Sequence, residues 1–578
     1  MLDWLFHARG ISTQLPRGRT STRPRRRRSL AIDSLEQRIV LNASLTIHDD
    51  IHRIASLTST SVTMTGTAEL HLTDSENPIA ASVVNLNSPD AWLFFDHLLP
   101  STVASTLLNR VRVNGALAVL GNNVRVTQYG VGAVVVPHGV NFRPLEVFTQ
   151  SGFDGDSTFL RVYEDYDSDR LGTFSQTISS FKLKRGYMAT LAEFDSGAGA
   201  SKTYVAQDGD LNIPVLPGEL ENNIRFIRIF PWRWTTKKGI AGNIGQQLET
   251  QWWYNWNIDQ SSSLDREYVA IRQARWWPGL GQDWETRGIN HLLGYNEPDR
   301  PDQANLNVGD ALWSWPDLLS TGLRVGAPAV SDGGLNWLYS FMDGANAEGK
   351  RVDFVPVHYY RCHNPADPAG AATQFYDFLK GVHDRVQRPL WITEWNNGAN
   401  WTGCGDPTFA QQQAAISAIV AMLESTPFVE RYAIYNWVED VRRVQWDDGP
   451  GTLTPAGEAY RDQVSRLAYL QEVPAPPGAG DAYYAFDGDI EDSSGNGHPA
   501  LRAGARTFTA GPHGQAVTFD GHDDYVQLSA GLGDSSDFTF AAWVNWNGGA
   551  SWQRIVDLGQ DTNRYLFLTP RSGGAGGT

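Results

Sequence analysis

Residues 291–299 read HLLGYNEPD, an apolar run that ends in Asn-Glu-Pro. The apolar part predicts a short buried strand, and the polar part predicts a loop that begins where the strand ends. A second run of this kind, PLWITEWNN at residues 389–397, carries Glu394 where the first carries Glu297. Two carboxylates are therefore predicted at the ends of two strands in one segment of the chain.

The segment around these motifs repeats short apolar strands with helix-like spacers. Apolar residues at helical spacing mark two of the spacers, at residues 375–386 and 416–423. Eight strands alternating with helices over about 250 residues predict a (β/α)8 TIM barrel, whose functional residues stand at the carboxyl ends of the strands. Glu297 then ends the fourth strand and Glu394 the seventh. The eight predicted strands cover residues 225–230, 251–256, 268–272, 289–295, 323–327, 354–360, 390–394 and 431–437.

Two carboxylates at the rim of one barrel suit the hydrolysis of a glycosidic bond. That reaction needs one protonated acid and one anion that faces the sugar carbon. For the acid role we expect a raised pKa at Glu297, which aromatic neighbours and the nearby Glu394 anion would produce. The alternative interpretation is that both carboxylates are structural and cap loops or pair with arginine.

The motifs GYNEPD at residues 294–299 and TEW at residues 393–395 resemble those of glycoside hydrolase family 128, the Asl1-like catalytic core. The resemblance covers residues 223–470 and implies a retaining, endo-acting enzyme that cleaves β-1,3-glucan. It implies that Glu297 is the acid/base, Glu394 the nucleophile, and Asn296 the residue that holds the sugar 2-hydroxyl. Two alternatives stay open: the same mechanism on another cell-wall or algal β-glycan, and a non-catalytic carbohydrate-binding surface protein.

Several other side chains near the predicted strand ends are candidates for sugar binding. Aromatic rings with a polar edge suit sugar faces, and sixteen of the 21 Trp lie between Trp232 and Trp446. Core packing is the alternative for each of them. The candidates are His358, Tyr360, Trp395, Trp437 and Trp276.

The basic residues of the barrel segment give no metal site. His291, His358, His363 and His383 lack the spacing of zinc ligands, so no catalytic metal or other cofactor is expected. Arg272 and Arg275 follow the third strand and fit two roles equally well, as sugar donors or as partners in barrel ion pairs.

The chain has only two cysteines, Cys362 and Cys404, which follow the sixth and seventh predicted strands. Neighbouring loops would bring them close enough to bridge. In an exported protein a disulfide is expected, with two free thiols as the alternative.

A chain of 578 residues is too long for one core, and further domains are predicted around the barrel at 223–473. Residues 46–149 alternate in short β-like runs and predict a β-rich accessory module. Residues 150–222 resemble a βγ-crystallin-type module through ISSFKL at 178–183 and RGYMATLAE at 185–193. We interpret this second module as structural.

The first 45 residues predict an export or sorting segment, mostly disordered. They contain nine Arg, and residues 34–44, SLEQRIVLNAS, are similar to the LEPR-LLSA-like sorting segments of large secreted bacterial proteins. A secreted or cell-surface location is therefore expected, with a disordered basic arm as the alternative. The formal net charge of −17 argues against nucleic acid as a partner, and no apolar run is long enough to span a membrane. We expect a monomer that acts on a neutral polysaccharide.

The end of the chain predicts a Pro/Gly linker at 474–480 and a further domain at 481–578. The motifs YYAFDG at 483–488, VTFDG at 517–521 and FTFAAWV at 538–544 resemble a concanavalin A-like, laminin-G-type jelly roll. The resemblance implies a partial β-sandwich that binds carbohydrate, with room for a structural calcium ion.

Overall fold

The computed structural model describes most of the chain before residue 470. The chain divides into two compact units, and residues 33–471 form the larger one. The predicted export segment, apart from Ser44 and Leu45, and the predicted linker lie outside the described residues. The structure describes residues 44–446, 451–469, 482–486, 490, 492, 500, 502–503, 507–510, 515–521, 524–528, 540, 542–561 and 564–571.

The first accessory module is a parallel β-helix, in which the chain visits three sheets in turn. Val62, Met64 and Leu70 are among the residues that fill its interior, because alternate residues of a strand point to opposite faces. The sequence predicted a β-rich module here but not this architecture. The first sheet contains Ser44–His48, Ser61–Thr65, Val83–Leu86 and Val111–Val113, the second Ile51–Ile54, Glu69–Leu72 and Trp92–Phe95, and the third Leu57–Thr58 and Ile79–Ala80.

The later elements of this module connect it to the rest of the larger unit. Ser101 donates its hydroxyl to Asp265 at 2.6 Å, and Gln128 donates to the side-chain oxygen of Gln251 at 2.7 Å. Both acceptors lie in the region of the two carboxylate motifs. The connecting elements are the short helical segments Pro100–Thr102, Val103–Leu107 and Leu108–Arg110 and the strands Ala116–Leu117, Arg125–Tyr129 and Gly132–Val136.

The second module consists of two four-stranded antiparallel sheets. Its first sheet has the order Asp154–Leu160, Leu145–Gln150, Ser180–Leu183, Leu211–Ile213, and its second has the order Asp165–Tyr166, Phe226–Pro231, Tyr187–Ala192, Ser201–Ala206. Short helices at Ser168–Leu171 and Gly172–Phe174 complete it. The βγ-crystallin-type resemblance stays a prediction.

One strand prediction is wrong. Residues 225–230 were expected to open the barrel, but Phe226–Pro231 pairs antiparallel with Tyr187–Ala192 in the second module. Its apolar run fits a buried strand of either kind, so the pattern alone does not decide the partner. The first strand of the following parallel region is Lys238–Ala241, which was not among the predicted strands.

The region that carries Glu297 and Glu394 contains nine parallel strands in two sheets. The six-stranded sheet has the order Glu267–Tyr268, Trp252–Tyr254, Lys238–Ala241, Val429–Tyr435, Leu390–Trp395, Val355–Tyr359. The three-stranded sheet has the order Ala270–Ile271, His291–Leu293, Arg324–Val325. The other seven predicted strands therefore coincide with parallel strands, and the closed barrel itself stays a prediction.

Helices cover these strands and bury one face each. In Pro368–Val386 the apolar residues Phe375, Leu379 and Val382 are fully buried, as their spacing predicted. Polar side chains cap four of the five helices of this region; Thr408, for example, accepts a hydrogen bond from the backbone N–H of Gln411. The helices of this region are Val308–Leu319, Leu335–Ala347, Pro368–Val386, Phe409–Ser425 and Pro455–Asp462, with 3-10 turns at Gln246–Leu248 and Asn400–Thr402.

A buried hydrogen bond and a buried ion pair join the two parallel sheets. His291 of the three-stranded sheet bonds Glu267 of the six-stranded sheet at 2.7 Å, and Arg324 bonds Glu430 in a bidentate pair at 2.5 and 2.7 Å. Burial alone would raise the pKa of Glu430, but the charge of Arg324 and the hydrogen bonds it donates outweigh burial and lower it. Each pair spans the boundary between the sheets and fixes one against the other.

The described part of the second unit contains three two-stranded antiparallel ladders. They pair Arg502–Ala503 with Val526–Gln527, Thr507–Ala510 with Gln515–Thr518, and Val556–Asp561 with Arg564–Leu568. The jelly-roll resemblance and the calcium ion stay predictions. None of the helices in the described ranges has the length and hydrophobicity needed to cross a bilayer.

Candidate active site

Glu394 is held by three hydrogen-bond donors. Trp256 donates its indole N–H to Oε1 at 2.8 Å, Tyr254 donates its hydroxyl to Oε1 at 3.2 Å, and Tyr360 donates its hydroxyl to Oε2 at 2.8 Å. Burial, with the charge of Glu394 added, raises the pKa of both tyrosines well above the ordinary value. Both hydroxyls therefore keep their protons and fix Glu394 as an oriented acceptor.

Glu297 forms a hydrogen bond with His358, in contrast to Glu394, whose partners are two tyrosines and a tryptophan. His358 places Nδ1 2.9 Å from Glu297 Oε1 and 3.7 Å from Glu394 Oε2, so one ring lies between the two carboxylates. Arg300 brings Nε to 3.4 Å from the other oxygen of Glu297. The two carboxylates meet because the strand pairing places His358 beside Glu394, while Glu297 follows a strand of the other sheet.

The proton of the Glu297–His358 pair resides on the histidine. Burial raises the pKa of Glu297, but the hydrogen bond and charge of His358, with Arg300, outweigh burial and lower it. Burial lowers the pKa of His358, but the charges of Glu394 and Glu297 and the hydrogen bond outweigh burial and raise it. The sequence predicted a raised pKa at Glu297, whereas in the structure the raised pKa belongs to His358.

The side chains of Glu297, His358 and Glu394 meet at one point of the site. One oxygen of Glu297, one of Glu394 and a ring nitrogen of His358 all lie within 4.8 Å of one another. Such donor types also suit a cation, and Nδ1 of His358 would have to give up its proton to bind one. The expectation of a metal-free mechanism stays a prediction.

Both carboxylates open onto one polar pocket of about 270 Å³. Asn296 lines it beside Glu297, and its Oδ1 is buried without a hydrogen-bond partner among the described residues. Trp256, Tyr435 and Trp437 supply aromatic surface. The lining residues are Trp256, Gln273, Asn296, Glu297, Gln303, Glu394, Tyr435 and Trp437.

Strained backbone positions two of these residues. Glu297 has φ of 41° and Trp256 has φ of 56°, in the left-handed region that residues other than glycine rarely adopt. Gly242, with φ of 102°, makes room for Trp437, because a Cβ there would lie 2.0 Å from the indole ring. The chain therefore accepts local strain where side chains face the pocket.

The structure contradicts the prediction that Trp395 binds sugar, and it places Trp276 outside the pocket. Trp395 is fully buried and packs against Phe375 and Tyr432, because successive strand residues point to opposite faces and Glu394 takes the pocket face. Trp276 is 65% exposed and does not line the pocket. Trp437 and Asn296 do line it, whereas His358 and Tyr360 reach it through the carboxylates they bond.

Four pocket residues were missed in the sequence. Trp256 is the last residue of the second predicted strand and Gln273 directly follows the third, so applying the strand-end rule to every strand would have found them. Tyr435 lies at the end of the last strand and could have been found in the same way. Gln303 lies in a loop after Glu297, where no pattern marks it.

A disulfide joins the loops that follow Tyr360 and Glu394. Cys362 and Cys404 are bonded, with a Cα–Cα distance of 5.3 Å. Between them in space, Thr402 donates its hydroxyl to the carbonyl oxygen of Tyr360 at 3.0 Å. The expected bridge is therefore present, and it braces the backbone of a residue that bonds Glu394.

Comparison with known proteins identifies the region around the pocket. Residues 231–460 match the family described as glycosyl hydrolase catalytic core. No curated protein matches the chain. A solved GH128 subgroup I endo-β-1,3-glucanase from Amycolatopsis mediterranei, in complex with laminaritriose, is 33% identical; the match covers 39% of this chain and 98% of that chain, with a TM-score of 0.35.

Two further GH128 structures match the same share of the chain. A curdlan-specific exo-β-1,3-glucanase of subgroup III from Blastomyces gilchristii is 26% identical, covers 39% of this chain and 98% of its own, and has a TM-score of 0.32. A subgroup II endo-β-1,3-glucanase from Sorangium cellulosum is 24% identical with the same coverages and a TM-score of 0.33. On the family match and on 33% identity over nearly the whole length of the Amycolatopsis enzyme, the chain is a glycoside hydrolase that belongs to family GH128.

Proposed function

We propose that the chain is a retaining, endo-acting β-1,3-glucanase that works by double displacement. The substrate follows from the relative at 33% identity, which is an endo-β-1,3-glucanase. The exo-acting relative at 26% identity makes the mode of attack a point for experiment.

The distance between the two carboxylates carries the proposal. Oxygens of Glu297 and Glu394 lie within 4.8 Å of each other on the wall of one pocket. Retaining glycosidases hold their carboxyl groups about 5–5.5 Å apart, whereas inverting enzymes need about 6.5–9.5 Å to admit a water molecule. The spacing fits direct attack on the anomeric carbon.

Glu394 acts as the nucleophile in this proposal. Its three donors, Trp256, Tyr254 and Tyr360, hold the carboxylate in one orientation. Glu394 attacks the anomeric carbon and forms the glycosyl-enzyme. The bond to the leaving oxygen breaks at the same time.

Glu297 acts as the acid/base, with His358 as its proton reservoir. His358 Nδ1 holds the proton of the pair 2.9 Å from Glu297 and passes it through Glu297 to the leaving oxygen. Glu297 then takes a proton from the water that releases the sugar, and His358 regains it. Asn296 offers its unpaired Oδ1 to the sugar 2-hydroxyl, and Trp256 and Trp437 face the ring.

We also propose that the two parallel sheets are the wall of one (β/α)8 barrel. A single residue separates Glu267–Tyr268 from Ala270–Ile271, which counts them as one strand and makes eight. Parallel bridges from Gly326 to Phe354 and from Val330 to Val357 support closure at the other boundary. Export, the monomeric state and a carbohydrate-binding role for the end of the chain belong to the same proposal.

Hydrolysis of laminarin by two glutamine variants tests the proposal. We expect Glu394→Gln and Glu297→Gln each to lower kcat about a thousandfold, because each removes one of the two reacting groups. The exposed Glu348, changed to Gln, is the matched control and should keep full activity. The first-formed product should have the β configuration by NMR.

The possible results separate the alternatives. An α product would contradict the retaining mechanism. Activity on another β-glycan but not on laminarin would show that the substrate is that glycan and not β-1,3-glucan. Binding to laminarin without any product would identify a non-catalytic binding protein.

A further inference from the structure

Three tryptophans are exposed on the surface of the GH128 region. Trp276, Trp277 and Trp313 have exposures of 65, 51 and 65%. Indole is the largest apolar side chain, and soluble proteins rarely leave several together in water unless the surface binds something. The cluster therefore has the character of a binding surface.

Arg275 organises the cluster. Its guanidinium lies 4.8 Å from the ring centre of Trp276 and 4.9 Å from that of Trp313, and the two rings are 6.3 Å apart. It also pairs with Asp310 at 3.0 Å, one turn before Trp313 on the same helix. Cation–π contacts and the ion pair hold both rings in place before anything binds.

The loop that carries Trp276 and Trp277 is also fixed. Arg272 is buried and donates to the carbonyl oxygens of Arg275, at 2.7 Å, and Pro278. Ala274 and Trp277 form an antiparallel bridge across the turn. The sequence allowed two roles for Arg272, as a sugar donor or as a partner in an ion pair. The structure supports a different role, because Arg272 holds this loop through its hydrogen bonds to carbonyl oxygens.

The cluster lies close to the catalytic pocket along the chain. Gln273 lines the pocket, and three residues of extended chain span at most about 11 Å, so Trp276 stands close to it. The helix that carries Trp313, Val308–Leu319, begins five residues after Gln303, which also lines the pocket. Both aromatic elements therefore follow a pocket-lining residue within a few residues of chain.

We propose that Trp276 and Trp313 form a binding platform for the part of the polysaccharide that extends beyond the pocket. The exposed indoles stack on the apolar faces of glucose rings, and Arg275 and Asp310 bond hydroxyl groups at their edge. Trp277 widens the apolar surface. The inference rests on the proposed β-glucanase function for its ligand but not for its geometry.

Binding to insoluble β-1,3-glucan tests the platform in the full chain, with Glu394→Gln present throughout so that the polymer persists. We expect Trp276→Ala with Trp313→Ala to weaken binding about tenfold, since two stacked rings are lost. Phe159→Ala is the control, because Phe159 is 49% exposed but lies in the second accessory module. Trp276→Tyr with Trp313→Tyr should restore most of the affinity.

Each result has a defined meaning. Equal binding by the Ala and Phe159 variants would overturn the platform. Failure of the Tyr variant to rescue binding, at unchanged Tm, would overturn it too, because a smaller ring would still stack. A changed oligomeric state with unchanged glycan binding would assign the surface to a protein contact instead. Hydrolysis of laminarin by Glu394→Gln would contradict the proposed function alone and leave the binding comparison intact.

Discussion

At the scale of single residues, the site depends on donors that fix one carboxylate and a proton shared with the other. The sequence pointed to both glutamates because strand-end motifs are local patterns. It could not give His358 its place between them, since that depends on the pairing of two strands. Trp395 shows that adjacency in sequence does not place a residue in the site. It directly follows Glu394 in the chain, but its side chain is buried and points away from the pocket.

The proton on His358 should set the alkaline limit of activity. In the wild type the pair loses its proton at the raised pKa of His358, above the ordinary 6.5. In His358→Asn the proton must reside on Glu297 alone, whose ordinary pKa is 4.5. We therefore expect the alkaline limb of kcat/KM to move to lower pH, measured on laminarin across the pH range. An unmoved limb would contradict the shared proton.

The indole of Trp256 should act on the chemical step more than on binding. Trp256→Phe keeps a ring but removes the N–H that bonds Glu394 at 2.8 Å. A hydrogen bond to a charged group contributes about 1.5–3 kcal/mol, so kcat should fall by about 10- to 100-fold. Trp253→Phe is the control, because Trp253 packs against Tyr268 instead. Equal kcat values for the two variants would show that the bond does not matter.

At the scale of elements, the sequence predicted most strands and the helices Pro368–Val386 and Phe409–Ser425 correctly. Periodicity is strong in long helices with one buried face. It is weak in short apolar strands, which explains why Phe226–Pro231 was given to the wrong sheet and Lys238–Ala241 was missed. Strand pairing is a long-range property that a local pattern does not contain.

The disulfide should stabilise the loops beside the site. Cys362 and Cys404 are 42 residues apart, and closing a loop of that length stabilises the folded state by about 4 kcal/mol in the chain-entropy description. We expect the double Ser variant to lose about this free energy of unfolding, measured in urea. Reductant should destabilise the wild type and leave the variant unchanged. Equal stability of both proteins without reductant would contradict this role.

At the scale of the whole molecule, the sequence predicted a β-rich first module but not its architecture. A parallel β-helix and an antiparallel module both read as short alternating runs, so composition did not separate them. The same limit applies to the buried ion pairs, because Arg324 and Glu430 are far apart in sequence and meet only when the sheets come together.

Breaking the pair between the sheets should destabilise the larger unit. Glu430→Gln leaves Arg324 charged and buried without its partner, which costs about 3–5 kcal/mol. Asp384→Asn breaks the exposed Lys380 pair and serves as the control, with an expected loss below about 1 kcal/mol. Urea unfolding at neutral pH measures both.

The loss of stability in Glu430→Gln should depend on pH. The pKa of Glu430 is lowered in the folded state, so its contribution is complete above the ordinary value of 4.5 and is lost as pH falls through the lowered pKa. The stability difference between wild type and Glu430→Gln should therefore narrow in acid. A constant difference down to low pH would place the effect elsewhere.

The parallel β-helix gives the molecule a part whose height can change in whole turns. Each turn repeats one strand per sheet, and Ser61 stands directly above Ser44 in register. Ser101 and Gln128 anchor the module to the rest of the larger unit, and so do two stacked strands, in which Glu69 bonds Arg185 and Trp92 packs against Trp234. These contacts come from the second and later turns, so a turn added at the Ser44 end would lengthen the stack while the anchoring residues keep their places.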